Sequence, residues 1–204
     1  MYELFEGQIV WPNEQKLEHG SLYGIAYRQY YDAEMIASNM LMNKYDKADE
    51  PLYFHSLRVR NNALNIFLSS YDNPIDRFED REYVMTDRWL FAIKAATVAM
   101  LHDIIEDTET TLEDLKYQFS QEILDAVDHI TRRKGESYAD YIGRVSVNDL
   151  SRAVKIADLQ DNMNITRLRS RLGNNDMSRL FKYHNAYWYL LGVRDSFTKA
   201  DCKF

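Results

Sequence analysis

One cysteine, three prolines and seven glycines are few for a chain of 204 residues. Average usage is ~7% for Gly and ~5% for Pro, so both fall to about half or less of the ordinary frequency. Collagen-like, low-complexity and many-stranded β architectures need frequent turn residues, and the composition argues against all three. A lone Cys202 leaves no intrachain disulfide and no cysteine-built metal site, which fits a reducing, cytoplasmic compartment. Positive charge is also in deficit: 25 basic against 32 acidic residues give a net charge of −7. A protein that grips nucleic acid through many phosphates carries the opposite sign, whereas a local Lys/Arg cluster can still bind a small anion. Long apolar runs are missing too. The most apolar stretch, Trp89–Leu101, is interrupted by Lys94 and is too short to span a membrane. The first residues, Met1 to Glu6, are acidic and lack the basic and apolar regions of a signal peptide. The expectation is a soluble, cytoplasmic, mostly helical protein with no membrane partner.

What is present reads as helices. Residues 1–20 hold two Gly and one Pro with weak periodicity and are read as an irregular arm with at most one hairpin. From Ser21 to about Tyr45, Tyr23, Ala26, Tyr30, Met40 and Leu41 recur near helical spacing, and Pro51 ends the polar break that follows. Further helices are predicted over 54–68 and over 89–107, the latter apolar nearly all round, with a charged loop at 69–86 between them. Thr110-Thr111-Leu112-Glu113 matches a capping box and predicts a helix from Thr110 to about Phe119. Helices at 121–130, at 141–147 after Ser137, at 149–163 and at 176–197 complete the pattern, with Asp149 and Asp176 as N-caps of the last two. No internal repeat or Gly/Ser linker divides the chain, so one all-α bundle is expected.

Three segments depart from an apolar bundle. His102-Asp103 is followed by Glu106-Asp107, putting four ionisable groups within six residues at the end of the most hydrophobic helix. Buried, such groups need compensation; a helix emerging into solvent is the plainer account. In Lys155-Ile156-Ala157-Asp158-Leu159-Gln160-Asp161-Asn162, spacings of three and four place Lys155, Asp158 and Asn162 on one face, with Asp161 on the apolar stripe. A structural ion pair explains Lys155 and Asp158 equally well. Lys47 to His55 is a turn leading into a helix, and a lone His there also serves as a cap or packing residue.

Taken together, His55, His102-Asp103 and Asp158 resemble the ligand set of the HD phosphohydrolase superfamily. Leu101-His102-Asp103-Ile104-Ile105-Glu106-Asp107-Thr108, Val154-Lys155-Ile156-Ala157-Asp158-Leu159 with Asn162, and Lys47-Ala48-Asp49-Glu50-Pro51 before His55 resemble its guanosine polyphosphate hydrolase branch, seen in Rel/Spo enzymes and small alarmone hydrolases. The stretch from Thr131-Arg132-Arg133 to Arg144 is similar to small bacterial and phage-type members. The resemblance covers roughly residues 21–195. It implies a single compact HD-domain bundle over residues 21–204 after the arm at 1–20. It also implies one divalent metal, Mn²⁺, held by His55, His102, Asp103 and Asp158. Glu106 and Asp107 would orient and activate the attacking water, Lys47 and Lys155 would meet phosphates, and Asn162 the ribose or base. The implied reaction removes the 3′-pyrophosphate of ppGpp or pppGpp, with a small anionic nucleotide as partner and a homodimer left open.

The chain departs from that branch where the base would sit. Asp46 occupies the position of an Arg that stacks on guanine, Asp49 that of a Gly, Leu52-Tyr53 that of Tyr-Ile, and Ser56 that of a Pro. Asp49 is tolerable there if its φ is positive, since Asp is among the residues enriched in that region. Loss of the stacking Arg predicts weak discrimination between guanine and adenine forms, and a gain from Asp46→Arg, unless Tyr53 or another aromatic supplies the surface. Hydrolysis of ppApp, NADPH or a pyrophosphorylated tRNA 3′ end, a generic HD nucleotidase, and a non-catalytic metal-binding sensor are the alternatives. An HD-type di-iron oxygenase would want extra His ligands, and His19, His129 and His184 do not stand at such positions.

Overall fold

The computed structural model describes residues 3–5, 8–10, 22–68, 85–168 and 171–203. Near the N-terminus, β1 (Glu3–Phe5) and β2 (Gln8–Val10) pair antiparallel with Leu4 opposite Ile9. The rest of the expected arm lies outside the described residues, as does nearly all of the expected 69–86 loop.

The described remainder is helical: α1 (Leu22–Leu41), α2 (Leu52–Leu68), α3 (Met85–Leu101), α4 (Ile104–Asp107), α5 (Leu112–Leu115), α6 (Gln121–Ile130), α7 (Tyr138–Val145), α8 (Asp149–Asn162) and α9 (Asn174–Leu190). Helix α3 packs against α1, α2 and α8 at once. It does so because Ala92, Ala95, Ala96 and Ala99, all fully buried, let the neighbouring backbones approach closely around Ile93, Val98, Met100 and Leu101. The apolar-all-round pattern of this helix therefore marks the centre of the molecule. Helix α8 serves two cores. Val154 and Ala157 join the large cluster around α3, while Ile156 and Leu159 pack with Tyr141, Ile142 and Val145 of α7 and Ala186 and Leu190 of α9. A polar face on α8 consequently lies close to both.

Several boundaries differ from those read in the sequence, each for a local reason. The helix expected over 89–107 stops at Leu101; His102 and Asp103 form a turn before the single turn of α4. The capping box sits one residue later than expected: the Thr111 side chain accepts from Asp114 N–H, and the Asp114 carboxylate accepts from Thr111 N–H, heading a helix of one turn. Asn148, not Asp149, caps α8. Asp176 acts from inside α9, accepting the Gly173 N–H, and α9 ends at Leu190, with Gly192 (φ 73°) just beyond it. Met40 is exposed, while Ala26, Tyr30 and Leu41 of the same predicted stripe are buried.

The connection between α1 and α2 is organised by one carboxylate. Asp46 Oδ1 accepts from Ala48 N–H (2.8 Å) and Glu50 N–H (3.1 Å), while Asp46 N–H donates to Glu50 O (2.9 Å). Asp49 adopts φ 62°, the left-handed conformation anticipated for a residue in place of Gly.

Candidate metal centre

Three helices deliver the four candidate ligands. His55 lies in the first turn of α2, His102 and Asp103 in the turn that ends α3, and Asp158 in α8. The last turn of α3 leaves carbonyls without helical partners, and His102 Nδ1 donates to one of them, Ala99 O, at 2.7 Å. His55 Nδ1 donates to Asp161 Oδ2, also at 2.7 Å. In its neutral form each ring is thereby held in the tautomer that leaves Nε2 as a lone pair.

Those lone pairs point at one another, 3.3 Å apart. Asp158 Oδ1 lies 3.1 Å from His55 Nε2 and 3.8 Å from His102 Nε2; Asp103 Oδ2 lies 3.6 Å and 3.0 Å from the same two atoms. Two donors each about 2.1 Å from a shared cation at tetrahedral or octahedral angles are roughly 3.0–3.4 Å apart. The observed separations bracket that spacing. Two imidazole lone pairs and two carboxylates facing one point repel unless a positive charge stands among them, so the donor set fits one divalent cation with borderline ligands. Among the described residues, His55, His102 and Asp158 form a compact buried triad, and Asp103 closes it from the solvent side with 28% of its side chain exposed.

The field at this point is strongly negative. Burial pulls the His55 imidazole down, but its contacts with Asp158 and Asp161 and the charge of Asp103 push it up to about 10. Burial opposes ionisation of Asp158 as well, yet Lys155, His55 and His102 hold it well below the ordinary carboxylate range. Lys155 Nζ donates to Asp158 Oδ2 at 2.7 Å, and Asn162 Nδ2 donates to Oδ1. The face predicted for α8 thus forms as expected, with both flanking residues holding the buried carboxylate.

A cavity opens beside the cluster, walled by His55, Asp103, Asp158, Glu106, Lys155 and Asn162 together with Asp46, Leu52, Arg132, Tyr138, Tyr141, Arg167, Lys182 and Tyr183. Glu106 is anchored through Oε1 by Arg132 N–H at 2.7 Å, leaving its second oxygen free to face the cavity. Burial, reinforced by the charge of Asp103, raises its pKa. Asp107 is raised for the same two reasons, but it does not line the cavity. Neither does Lys47, which is exposed and feels Asp176 instead. Of the residues singled out in the sequence, the structure gathers His55, His102, Asp103, Asp158, Glu106, Lys155 and Asn162, and leaves Asp107 and Lys47 outside the wall. His129 and His184 make ordinary contacts, with Asp125 O and the Trp188 indole.

Two contributors escaped the sequence reading. Asp161 supports His55, and its position on the apolar stripe of α8 was the available signal. Arg167, in the 3₁₀ turn Ile165–Arg167 after α8, had none. Its guanidinium reaches Asp46, Glu50 Oε2 (2.9 Å) and Asp161 Oδ2 (3.2 Å). Tyr53, considered as a stacking surface, instead directs its hydroxyl to Glu34 and does not line the cavity.

Comparison with solved structures then places this arrangement. A structure of a metazoan ortholog of SpoT, described as hydrolysing ppGpp and acting in starvation responses, superposes with a TM-score of 0.56. The match covers 85% of this chain and 89% of that one, at 16% sequence identity. This chain has the all-helical HD-domain fold. The buried group of His55, His102 and Asp158 fits that fold. No protein-family model matches the sequence, and no curated protein does. Among the described residues, no helix is long and apolar enough to cross a membrane.

Proposed function

We propose that this HD-fold protein is a metal-dependent hydrolase that removes the 3′-pyrophosphate of guanosine tetra- and pentaphosphate, giving GDP or GTP and pyrophosphate, in the cytoplasm. Residues 21–204 form the catalytic unit on this reading. The observation that carries it is the convergence of His55, His102, Asp103 and Asp158 on one point, beside a carboxylate of raised pKa, in a cavity lined also by Arg132 and Lys182. The resemblance of the Glu106-Asp107 and Lys155 to Asn162 segments to alarmone hydrolases, and the ppGpp hydrolysis described for the structural neighbour, support the choice of substrate.

A divalent cation at this centre, Mn²⁺ on the resemblance, would lower the pKa of an attacking water and neutralise charge on the scissile phosphate. The protein's own groups divide the remaining work. Glu106 is placed to accept the water's proton, and its raised pKa makes it a stronger base than an ordinary carboxylate. Asp107, on the adjacent position of α4, adds negative charge that favours proton acceptance. Lys155 and Asn162 fix Asp158, so the ligand does not swing when substrate arrives. Arg132 and Lys182 provide cationic wall for the polyphosphate. Both stand over the Tyr138 ring, Lys182 Nζ 4.9 Å and the Arg132 guanidinium 5.9 Å from its centroid, and the Tyr138 hydroxyl is buried without a hydrogen-bond partner. An unpartnered donor beside two cations suits an anionic oxygen.

Pyrophosphate release from ppGpp, measured with Mn²⁺ and after chelation, tests the assignment, with ppApp and NADPH as comparison substrates. Mn²⁺-dependent release from ppGpp is expected. Metal binding without turnover of any of the three would replace the enzyme by a metal-binding sensor.

A further inference from the structure

The two ends of the cavity differ in charge balance. At one end Arg132 and Lys182 stand near the orphan Tyr138 hydroxyl; Lys182 has its pKa lowered by burial and by the neighbouring cations, the mark of a net positive region. At the other end every positive charge is matched. Arg167 is held by Asp46, Glu50 and Asp161, and Arg58 donates to Glu50 Oε2 (3.0 Å) and Asp161 Oδ1 (2.8 Å). Two guanidinium groups thus face three carboxylates. Arg58 Nη2 and Arg167 Nε are buried there without a hydrogen-bond partner, but the carboxylates outnumber the guanidinium groups, so a polyphosphate is drawn less to this end than to the Arg132 end.

The compensated end still offers a surface. Arg167 lines the cavity with 17% of its side chain exposed, next to Leu52 and Asp46 in the wall. Its ionic partners all engage the terminal nitrogens Nη1 and Nη2, which pins the guanidinium by its edge. An edge-pinned guanidinium keeps its flat faces for stacking on aromatic rings, a property a lysine lacks. We propose that Arg167 is the platform on which the nucleobase of the substrate stacks, with Asp46 and Glu50 as the positioning residues that hold it. The proposal rests on the nucleotide-hydrolase reading above and orients the substrate within it: polyphosphate toward Arg132 and Lys182, base toward Arg167. It also changes the meaning of Asp46. The carboxylate does not leave the base end bare; it draws in a guanidinium from a segment 121 residues away.

The test is calorimetric binding to the full chain with metal removed by chelation, using ppGpp and inorganic triphosphate, which has no base. Arg167→Lys should weaken ppGpp about tenfold, the scale of one lost stacking contact, and leave triphosphate within twofold. With Mn²⁺, the same variant should raise KM for ppGpp and change kcat by less than threefold. Asp46→Asn combined with Arg167→Gln removes one charge of each sign and should give the same selective loss, guarding against collapse from unmatched carboxylates. Asp46→Arg should lower ppGpp affinity by setting a second guanidinium against Arg167. Unchanged ppGpp affinity in Arg167→Lys, equal loss on both probes, or a gain in Asp46→Arg would overturn the proposal. Failure of the underlying function looks different: wild-type protein would bind triphosphate but not ppGpp before any substitution is made.

Discussion

Asp161 touches no candidate metal position, yet its replacement should be felt there. Its carboxylate accepts from His55 Nδ1 (2.7 Å), Arg58 Nε (2.8 Å) and Arg167 Nη1 (3.2 Å), and only 4% of the side chain is exposed. All three partners are donors, which an acceptor-only carboxylate satisfies. Asp161→Asn supplies one acceptor oxygen and one NH₂, so at least one arginine N–H meets another donor whichever way the amide turns. If the oxygen turns to Arg58, His55 loses the bond that fixes its tautomer and ring plane. Outer partners of ligating histidines contribute ~10–100-fold to metal affinity, or about 1.4–2.8 kcal/mol. Mn²⁺ titration against a competing chelator reads this directly, and Asp161→Asn should fall in that range. Asp46→Asn contacts Arg167 but not His55, and should bind Mn²⁺ as the wild type does. Wild-type affinity in Asp161→Asn would show that packing alone holds His55, and the argument from Nδ1 would fail.

Glu106→Gln should keep its metal while turnover falls by ~10²–10⁴, the usual contribution of a positioned acid–base group; loss of metal in that variant would make Glu106 a ligand instead. Asp107→Asn should likewise retain metal, and comparing its kcat with that of Glu106→Gln shows whether a carboxylate outside the cavity wall shares the proton-transfer role. Arg144 donates to Asp128 O, His129 O and Thr131 O at the end of α6 and to both oxygens of Glu136, closing the loop whose Arg132 N–H holds Glu106. Arg144→Met should therefore cost about 2–3 kcal/mol in urea unfolding, the scale of stranding partners of a charge-assisted network, and should lower kcat through Glu106. Hydrogen bonds from Arg144 hold the Glu136 pKa below its usual value. Its stabilising effect is then present above the unfolded carboxylate pKa, near 4.3, and is lost as pH falls through the lower folded value. Glu136→Gln should accordingly flatten the fall in stability below about pH 4, and an acid limb identical to wild type would assign that fall to other carboxylates.

Local chemistry was legible where it is written in neighbouring residues. The scarcity of Gly and Pro and the helical spacing of apolar residues identify a mostly helical chain, and the largely apolar run ending at Leu101 marks the central helix. Lys155, Asp158 and Asn162 share a face because spacings of three and four do so on any helix. The His-Asp and Glu-Asp pairs lie within six residues, so their proximity needs no folding to be seen. The short boundaries were less legible, since Thr110 and Thr111 are equally good caps in isolation and only packing chooses Thr111. What tertiary structure alone decided are the contacts between distant segments: His55 against Asp161, 106 residues apart, and Arg167 against Asp46, 121 residues apart. No spacing rule reaches that far. A carboxylate at position 46 reads in the sequence as the loss of a stacking arginine, whereas in the fold its charge selects another arginine from the turn after α8. Buried charge must find an opposite partner, and which partner it finds depends on which elements the core brings side by side.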